Sequence, residues 1–149
     1  MTGICAIILA AGESKRMKVP KLLLPFGGKT MIEKVVENVL HSEVFCTLVV
    51  LGSYREEIQG AVRHLPVSYC FNENYRRGML SSVQCGFRNL PAEYDAALVF
   101  PGDQPLIEPE VINLVIESYR ETGKGIIIPV FGKKRGHPVL ISFKYRDVV

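Results

Sequence analysis

Two places in this 149-residue chain carry side chains whose types and spacing suit phosphate chemistry. The first is AIILAAGESKRMKVPKLL, where an apolar run ends at Ala10, Ala11 and Gly12 and the basic residues Arg16 and Lys21 follow. Small residues let backbone N–H groups approach an anion closely, and cations behind them supply charge. A strand-to-loop turn with solvated charges explains the same residues equally well. The second is ALVFPGDQPLI, which puts Asp103 just beyond an apolar run in a loop bounded by Pro and Gly. A carboxylate there can hold a hard cation such as Mg2+, which binds through one or two carboxylates together with substrate phosphates. It can equally cap the local turn or the helix that follows.

Other chemistries find less support. A dinucleotide fingerprint requires glycines at fixed offsets, and Gly12 stands alone before the basic residues. Gly28-Lys29-Thr30 ends like a P-loop, but Leu23 occupies the position where that motif needs glycine, and Thr30 is explained as a helix cap. There is no G-x-S-x-G, and His41, His64 and His137 have no evident Ser or Cys partner in sequence; His41 and His64 are expected near helix ends.

Lys and Arg number 18 against 15 Asp and Glu, a formal net charge of +3. With no long basic run or stripe of interleaved aromatics, a nucleic-acid surface is not expected. Cys5, Cys46, Cys70 and Cys85 show no C-x-x-C spacing and sit mostly in apolar segments, so they are expected to be buried free thiols of a cytoplasmic protein. The apolar run from Ile4 to Ala11 has no preceding positive charge, and no run approaches membrane-spanning length, so it is expected to be a buried strand and no membrane association is expected.

The elements that must position these residues are short apolar runs alternating with segments of helical period. Strands are expected at Ile4 to Leu9, Cys46 to Leu51, Val67 to Phe71, Ala96 to Phe100, Ile126 to Val130 and Val139 to Ile141. In TMIEKVVENVLH, Met31, Val35 and Val39 and then Ile32, Val36 and Leu40 recur every fourth position, behind a Thr30–Glu33 capping box. Ser53 and Glu56 repeat that signature. In GMLSSVQCGFRNL, Met79, Val83, Phe87 and Leu90 line one face and leave Ser81 and Ser82 off it. Pro109 and Gly123 bracket a further helix. Apolar strands alternating with helices predict one α/β domain, residues 1–149, with a mostly parallel sheet covered on both faces. Ligands of such sheets sit beyond the carboxyl ends of strands, which directs attention to the loops after Leu9, Phe71 and Phe100. The turn FGKKRGHP, with Lys133, Lys134 and Arg135, is expected to be a solvated hairpin.

LAAGESKRMKVPKLLLPFGGKT resembles the signature of the MobA-like nucleotidyltransferases, and GMLSSVQCG, GDQPLI and RGHPVLI resemble the branch that transfers CMP to molybdopterin. The resemblance runs from about Ile4 to Ile141. It implies a Rossmann-like fold of the nucleotide-diphospho-sugar transferase kind, binding a nucleoside triphosphate, most simply CTP. It implies nucleotide contacts at Leu9, Ala10, Ala11, Gly12 and Ser14, with Arg16 and Lys21 at the phosphates and Gly78, Ser81 and Ser82 near the nucleoside. Asp103 would bind Mg2+, and Gln104, Pro105, Gly136 and His137 would face the acceptor, giving the hairpin a second reading as a basic lip. The implied chemistry is attack of the acceptor phosphate on the α-phosphorus with pyrophosphate leaving; Arg16, Lys21 and a metal on Asp103 stabilise charge, and no protein nucleophile is required. Family members continue beyond the strand at Val139 to Ile141 to a second metal carboxylate, so the chain is expected to be short at its carboxyl end, with apolar surface that favours self-association. A relative using another nucleotide or a sugar-phosphate acceptor, and a nucleotide-binding subunit without turnover, stay open.

Overall fold

A computed structural model describes residues 3–13 and 19–149. The central sheet contains β1 (Ile4–Ala10), β4 (Cys46–Leu51), β5 (Ser68–Phe71), β6 (Ala96–Pro101), β7 (Ile126–Ile127) and β10 (Val139–Ser142), in the order β5-β4-β1-β6-β10-β7. The four strands from β5 to β6 are parallel, and β10 runs antiparallel to both its neighbours. Parallel strands need covering on both faces. Helices α1 (Met31–Leu40), α2 (Arg55–Val62) and α4 (Pro109–Thr122) bury Ile32, Ile58 and Ile112 against one face. Helix α3 (Met79–Asn89) covers the other, with Val83 and Phe87 against Ile7, Val50 and Val99. This is the expected Rossmann-like architecture.

The local signals explain most of the helix ends. The Thr30 hydroxyl accepts from the Glu33 amide at 3.2 Å while a Glu33 carboxylate oxygen accepts from the Thr30 amide at 3.1 Å, closing the capping box on α1. Pro109 opens α4, and Gly123, at φ 66°, closes it in the left-handed conformation that only glycine enters cheaply. His41 caps the carboxyl end of α1, as expected.

Four expectations are corrected. Tyr54, with no side-chain cap bond, precedes α2, so Ser53 and Glu56 form no capping box. The expected strand from Ile126 to Val130 divides: β7 joins the sheet, while β8 (Val130–Phe131) pairs with β9 (Lys134–Arg135) in a separate hairpin, turned at Gly132 with φ 67°. β2 (Pro25–Phe26) and β3 (Lys29–Thr30) form a further small ribbon before α1. Met79 is exposed, and α3 buries Ser81 and Ser82 instead. Finally, the cysteines are not all free. The register of β1 and β4 sets Cys5 opposite Cys46 with Cα atoms 4.7 Å apart, within the range a disulfide spans, and the two are bonded. Cys70 and Cys85 remain thiols, with sulfurs 3.7 Å apart. Among the described residues no helix is long and apolar enough to cross a membrane.

Candidate nucleotide site

The carboxyl ends of the parallel strands meet at a cavity of about 610 Å³. Its floor is the junction of β1 and β6, where Leu9 stands opposite Pro101 and the Gly102 amide donates to the Leu9 carbonyl at 3.0 Å. A Cβ at Gly102 would lie 2.7 Å from that carbonyl oxygen, so glycine is required for the two strand ends to converge. Gly52 does the same on the other side: a Cβ there would fall 2.7 Å from Ala11 and 2.8 Å from Tyr75. The close approach brings the loop after β5 over the end of β1.

Of the residues expected to bind nucleotide, Leu9, Ala11, Gly12, Lys21, Gly78 and Ser82 line the cavity. Ala10 points instead into the core beneath it. Ser81 lies behind the wall, where its hydroxyl donates to the Gly78 carbonyl at 2.7 Å. Ser14 and Arg16 fall outside the described residues. Asp103 also lines the cavity, and its carboxylate pairs with the Lys21 ammonium at 3.2 Å. Both side chains are about half exposed, at 40% and 51%, so the pair contributes little to stability but presents both charges to a ligand. The loop holding Asp103 is anchored from below: the buried Asn38 of α1 donates to the Pro105 carbonyl at 3.0 Å.

The acceptor set is less concentrated. Gln104 and Pro105 follow Asp103 directly, whereas Gly136 and His137 close the β8–β9 hairpin; none of these residues lines the cavity. Lys133, Lys134 and Arg135 are exposed, in keeping with a solvated turn.

Sequence reasoning missed Glu13, Tyr75, Arg76 and Met79, which also line the cavity. Arg76 adds a cation near the mouth, its guanidinium 5.5 Å from the Tyr75 ring centre. The short 75–77 turn carrying it ends at Gly78, whose φ of 100° both finishes that turn and caps α3 without a side chain. The first amides of α3 are therefore not covered by a capping side chain at the cavity wall, and a helix N-terminus attracts ligand oxygens.

Carboxylate Asp103 fits a hard divalent cation by chemistry and by exposure, and Glu13 is a second acidic residue lining the same cavity. A different group, Glu33, Glu37 and His64, brings one donor atom each within 4.8 Å of the others. Those atoms have internal partners: Glu33 closes the capping box and lies 3.5 Å from His64 Nε2, and Glu37 pairs with Lys29. Elsewhere, burial and the neighbouring Cys85 push the Cys70 thiol from an ordinary 9.0 up to about 12, which favours the protonated thiol over the thiolate.

Comparison with known proteins gives the family and the fold. The family described as the MobA-like NTP transferase domain matches residues 6–149. A probable molybdenum cofactor guanylyltransferase of Natranaerobius thermophilus is 34% identical over 127 residues, 85% of this chain and 60% of that protein. The bifunctional protein GlmU of Clostridium kluyveri is 36% identical over 126 residues, 83% of this chain and 27% of that protein. Among solved structures, a nucleotidyl transferase from Methanothermobacter thermautotroptrophicus superposes with a TM-score of 0.82 at 25% identity, covering 98% of this chain and 74% of that one. The chain thus spans 60% and 27% of the lengths of these two curated relatives.

Proposed function

Because the chain belongs to the MobA-like NTP transferase family, we propose that residues 1–149 act as one Mg2+-dependent nucleotidyltransferase domain in the cytoplasm, transferring CMP from CTP to molybdopterin and releasing pyrophosphate. The observation that carries this reading is the Lys21–Asp103 pair at the mouth of a glycine-floored cavity. Small residues at the end of β1 admit the triphosphate close to the backbone. Lys21 and Arg76 offset its charge, and the α3 wall faces the nucleoside. Asp103, in an open loop, would hold Mg2+, which when bound would offset the charge of the phosphoryl oxygens facing the incoming acceptor phosphate. The chain's own task is positioning: the acceptor oxygen must reach the α-phosphorus opposite the leaving pyrophosphate.

The choice of CTP rests on the motif resemblance of GMLSSVQCG, GDQPLI and RGHPVLI. A second reading, GTP as the donor, is favoured by the 34% identity to a probable molybdenum cofactor guanylyltransferase.

Thermal unfolding with CTP, GTP, UTP and ATP, each with and without Mg2+, tests both. A nucleotide at a hundred times its Kd adds about 2.7 kcal/mol, roughly 5–11 °C in a domain of this size. The expected result is a Mg2+-dependent shift with CTP that Asp103→Asn abolishes, followed by pyrophosphate release when molybdopterin is supplied. A larger shift with GTP transfers the assignment to the second reading. No shift with any of the four, from a chain that melts cooperatively, overturns both.

A further inference from the structure

Asn72 follows the last residue of β5 and is 2% exposed, yet every polar group of its side chain is used. Its Oδ1 accepts from the Asn74 amide at 2.9 Å. An N–H can only donate, so this bond settles which end of the Asn72 amide is oxygen. The Nδ2 group therefore faces α3, and it donates to the Ser81 hydroxyl at 2.9 Å and to the Ser82 hydroxyl at 3.0 Å. Both hydroxyl oxygens are acceptors in these bonds, so each must send its own proton elsewhere. Ser81 sends it to the Gly78 and Asn74 carbonyls, at 2.7 Å and 2.9 Å. Ser82 has no such acceptor among the described residues. It is buried at 4% exposure and lines the cavity.

We infer that Asn72 is a positioning residue that makes Ser82 a hydrogen-bond donor to the bound nucleotide, so that this wall selects a ligand presenting an acceptor oxygen or ring nitrogen. The inference rests on the cavity being the nucleotide site. A hydroxyl in water rotates to suit any neighbour and discriminates nothing. One whose oxygen already accepts from a fixed amide in a buried setting offers its proton, and a ligand group that can only donate would leave that O–H unpartnered at a cost. The two bonds from Nδ2 tie the 72–78 loop to the first turn of α3, so Asn72 also holds the wall that carries Gly78.

The test is calorimetric titration of CTP with Mg2+ into the wild type, Ser82→Ala, Ser82→Thr, Asn72→Asp and the double variant Asn72→Asp/Ser82→Ala. Removing the Ser82 donor is expected to weaken binding about tenfold, the effect of one hydrogen bond to a strongly polar acceptor. Ser82→Thr keeps the hydroxyl and is expected to bind like the wild type. Asn72→Asp keeps the shape but replaces the donor by an acceptor that draws the Ser82 proton inward, so it is expected to match Ser82→Ala. The double variant is then expected to be no weaker than Ser82→Ala alone. Ser82→Ala binding within twofold of the wild type overturns the inference. So does a double variant whose losses multiply, because the carboxylate would then act on the nucleotide by its charge. Should Asn72→Asp fail to fold, the Ala and Thr variants at Ser82 still decide whether Ser82 donates. A wild type that binds none of the four nucleotides instead removes the nucleotide reading itself, and this inference with it.

Discussion

Replacing Gly86 by Ala is expected to destabilise the protein, whereas the same replacement at Gly60 is expected to stabilise it. Both glycines lie inside helices, Gly86 in α3 and Gly60 in α2, and neither has a positive φ. Glycine within a helix is less favourable than Ala by about 0.8–1.0 kcal/mol, so propensity alone predicts a gain at both. Packing separates them. A Cβ at Gly86 would lie 2.6 Å from Ile7 Cγ2 and 2.9 Å from Ile7 Cδ1, while one at Gly60 meets nothing within 4 Å. Ile7 is completely buried in β1, the central strand, and has no room to retreat, so relief requires α3 to lift from the sheet. Overpacking costs roughly 1–3 kcal/mol, and two contacts under 3.0 Å to a buried side chain put Gly86→Ala in the upper part of that range, so that subtracting the propensity gain leaves a net loss of about 1–2 kcal/mol. In a chain of this length that lowers Tm by about 2–8 °C. Urea unfolding followed by far-ultraviolet circular dichroism reads both variants on one scale. Because α3 carries Ser82 and begins at Gly78, Gly86→Ala is also expected to weaken nucleotide binding, and Gly60→Ala to leave it unchanged. A Gly86→Ala protein more stable than the wild type would refute the reasoning, since it would mean that α3 and β1 tolerate separation at their closest approach.

Thr30→Ala removes the capping hydroxyl of α1 and is expected to cost about 0.5–2 kcal/mol in the same urea assay; a smaller loss would mean that the Glu33 carboxylate alone satisfies the helix end. The Cys70 thiol, raised from 9.0 to about 12 by burial and by Cys85, gives stability a pH dependence whose sign follows from linkage. Below pH 9 both folded and unfolded chains keep the proton; between pH 9 and about 12 the unfolded chain loses it while the folded chain keeps it, so stability falls with rising pH across that window. Cys70→Ser is expected to show a shallower fall there, and parallel profiles for the two proteins would exclude the thiol as the cause.

The fold was largely legible because β1, β4 and β6 are continuous apolar runs and the helices between them carry clear periodicity or end signals, as at Thr30, Pro109 and Gly123. The β7–β9 region was not, because two-residue strands are too short for an apolar run to show where one stops and the next begins. Lys21 and Asp103 were recognised one by one, from small residues and a carboxylate at strand ends. Arg76 and Tyr75 lie in a turn with no periodicity, and only the close approach allowed by Gly52 brings them over the cavity. The α3 face was misjudged for a related reason. Hydropathy turns Ser81 and Ser82 outward, and what reverses this is a hydrogen-bond donor on Asn72, nine and ten positions earlier, that no pattern along α3 announces. The Cys5–Cys46 bond likewise depends on interstrand register, which spacing along the chain does not encode.

The Lys21–Asp103 pair joins residues 82 positions apart, and the two meet only because β1 and β6 lie side by side although β4 and β5 intervene in sequence. Contacts of such long separation form late and slowly, since the intervening chain must close into a loop first. The opening loop therefore gains its carboxylate partner only once β6 pairs with β1. Binding at this cavity is consequently a report on the joining of β1 and β6: a chain in which that seam is open has the loop but no pocket, and a ligand that stabilises the pocket acts on that seam of the sheet.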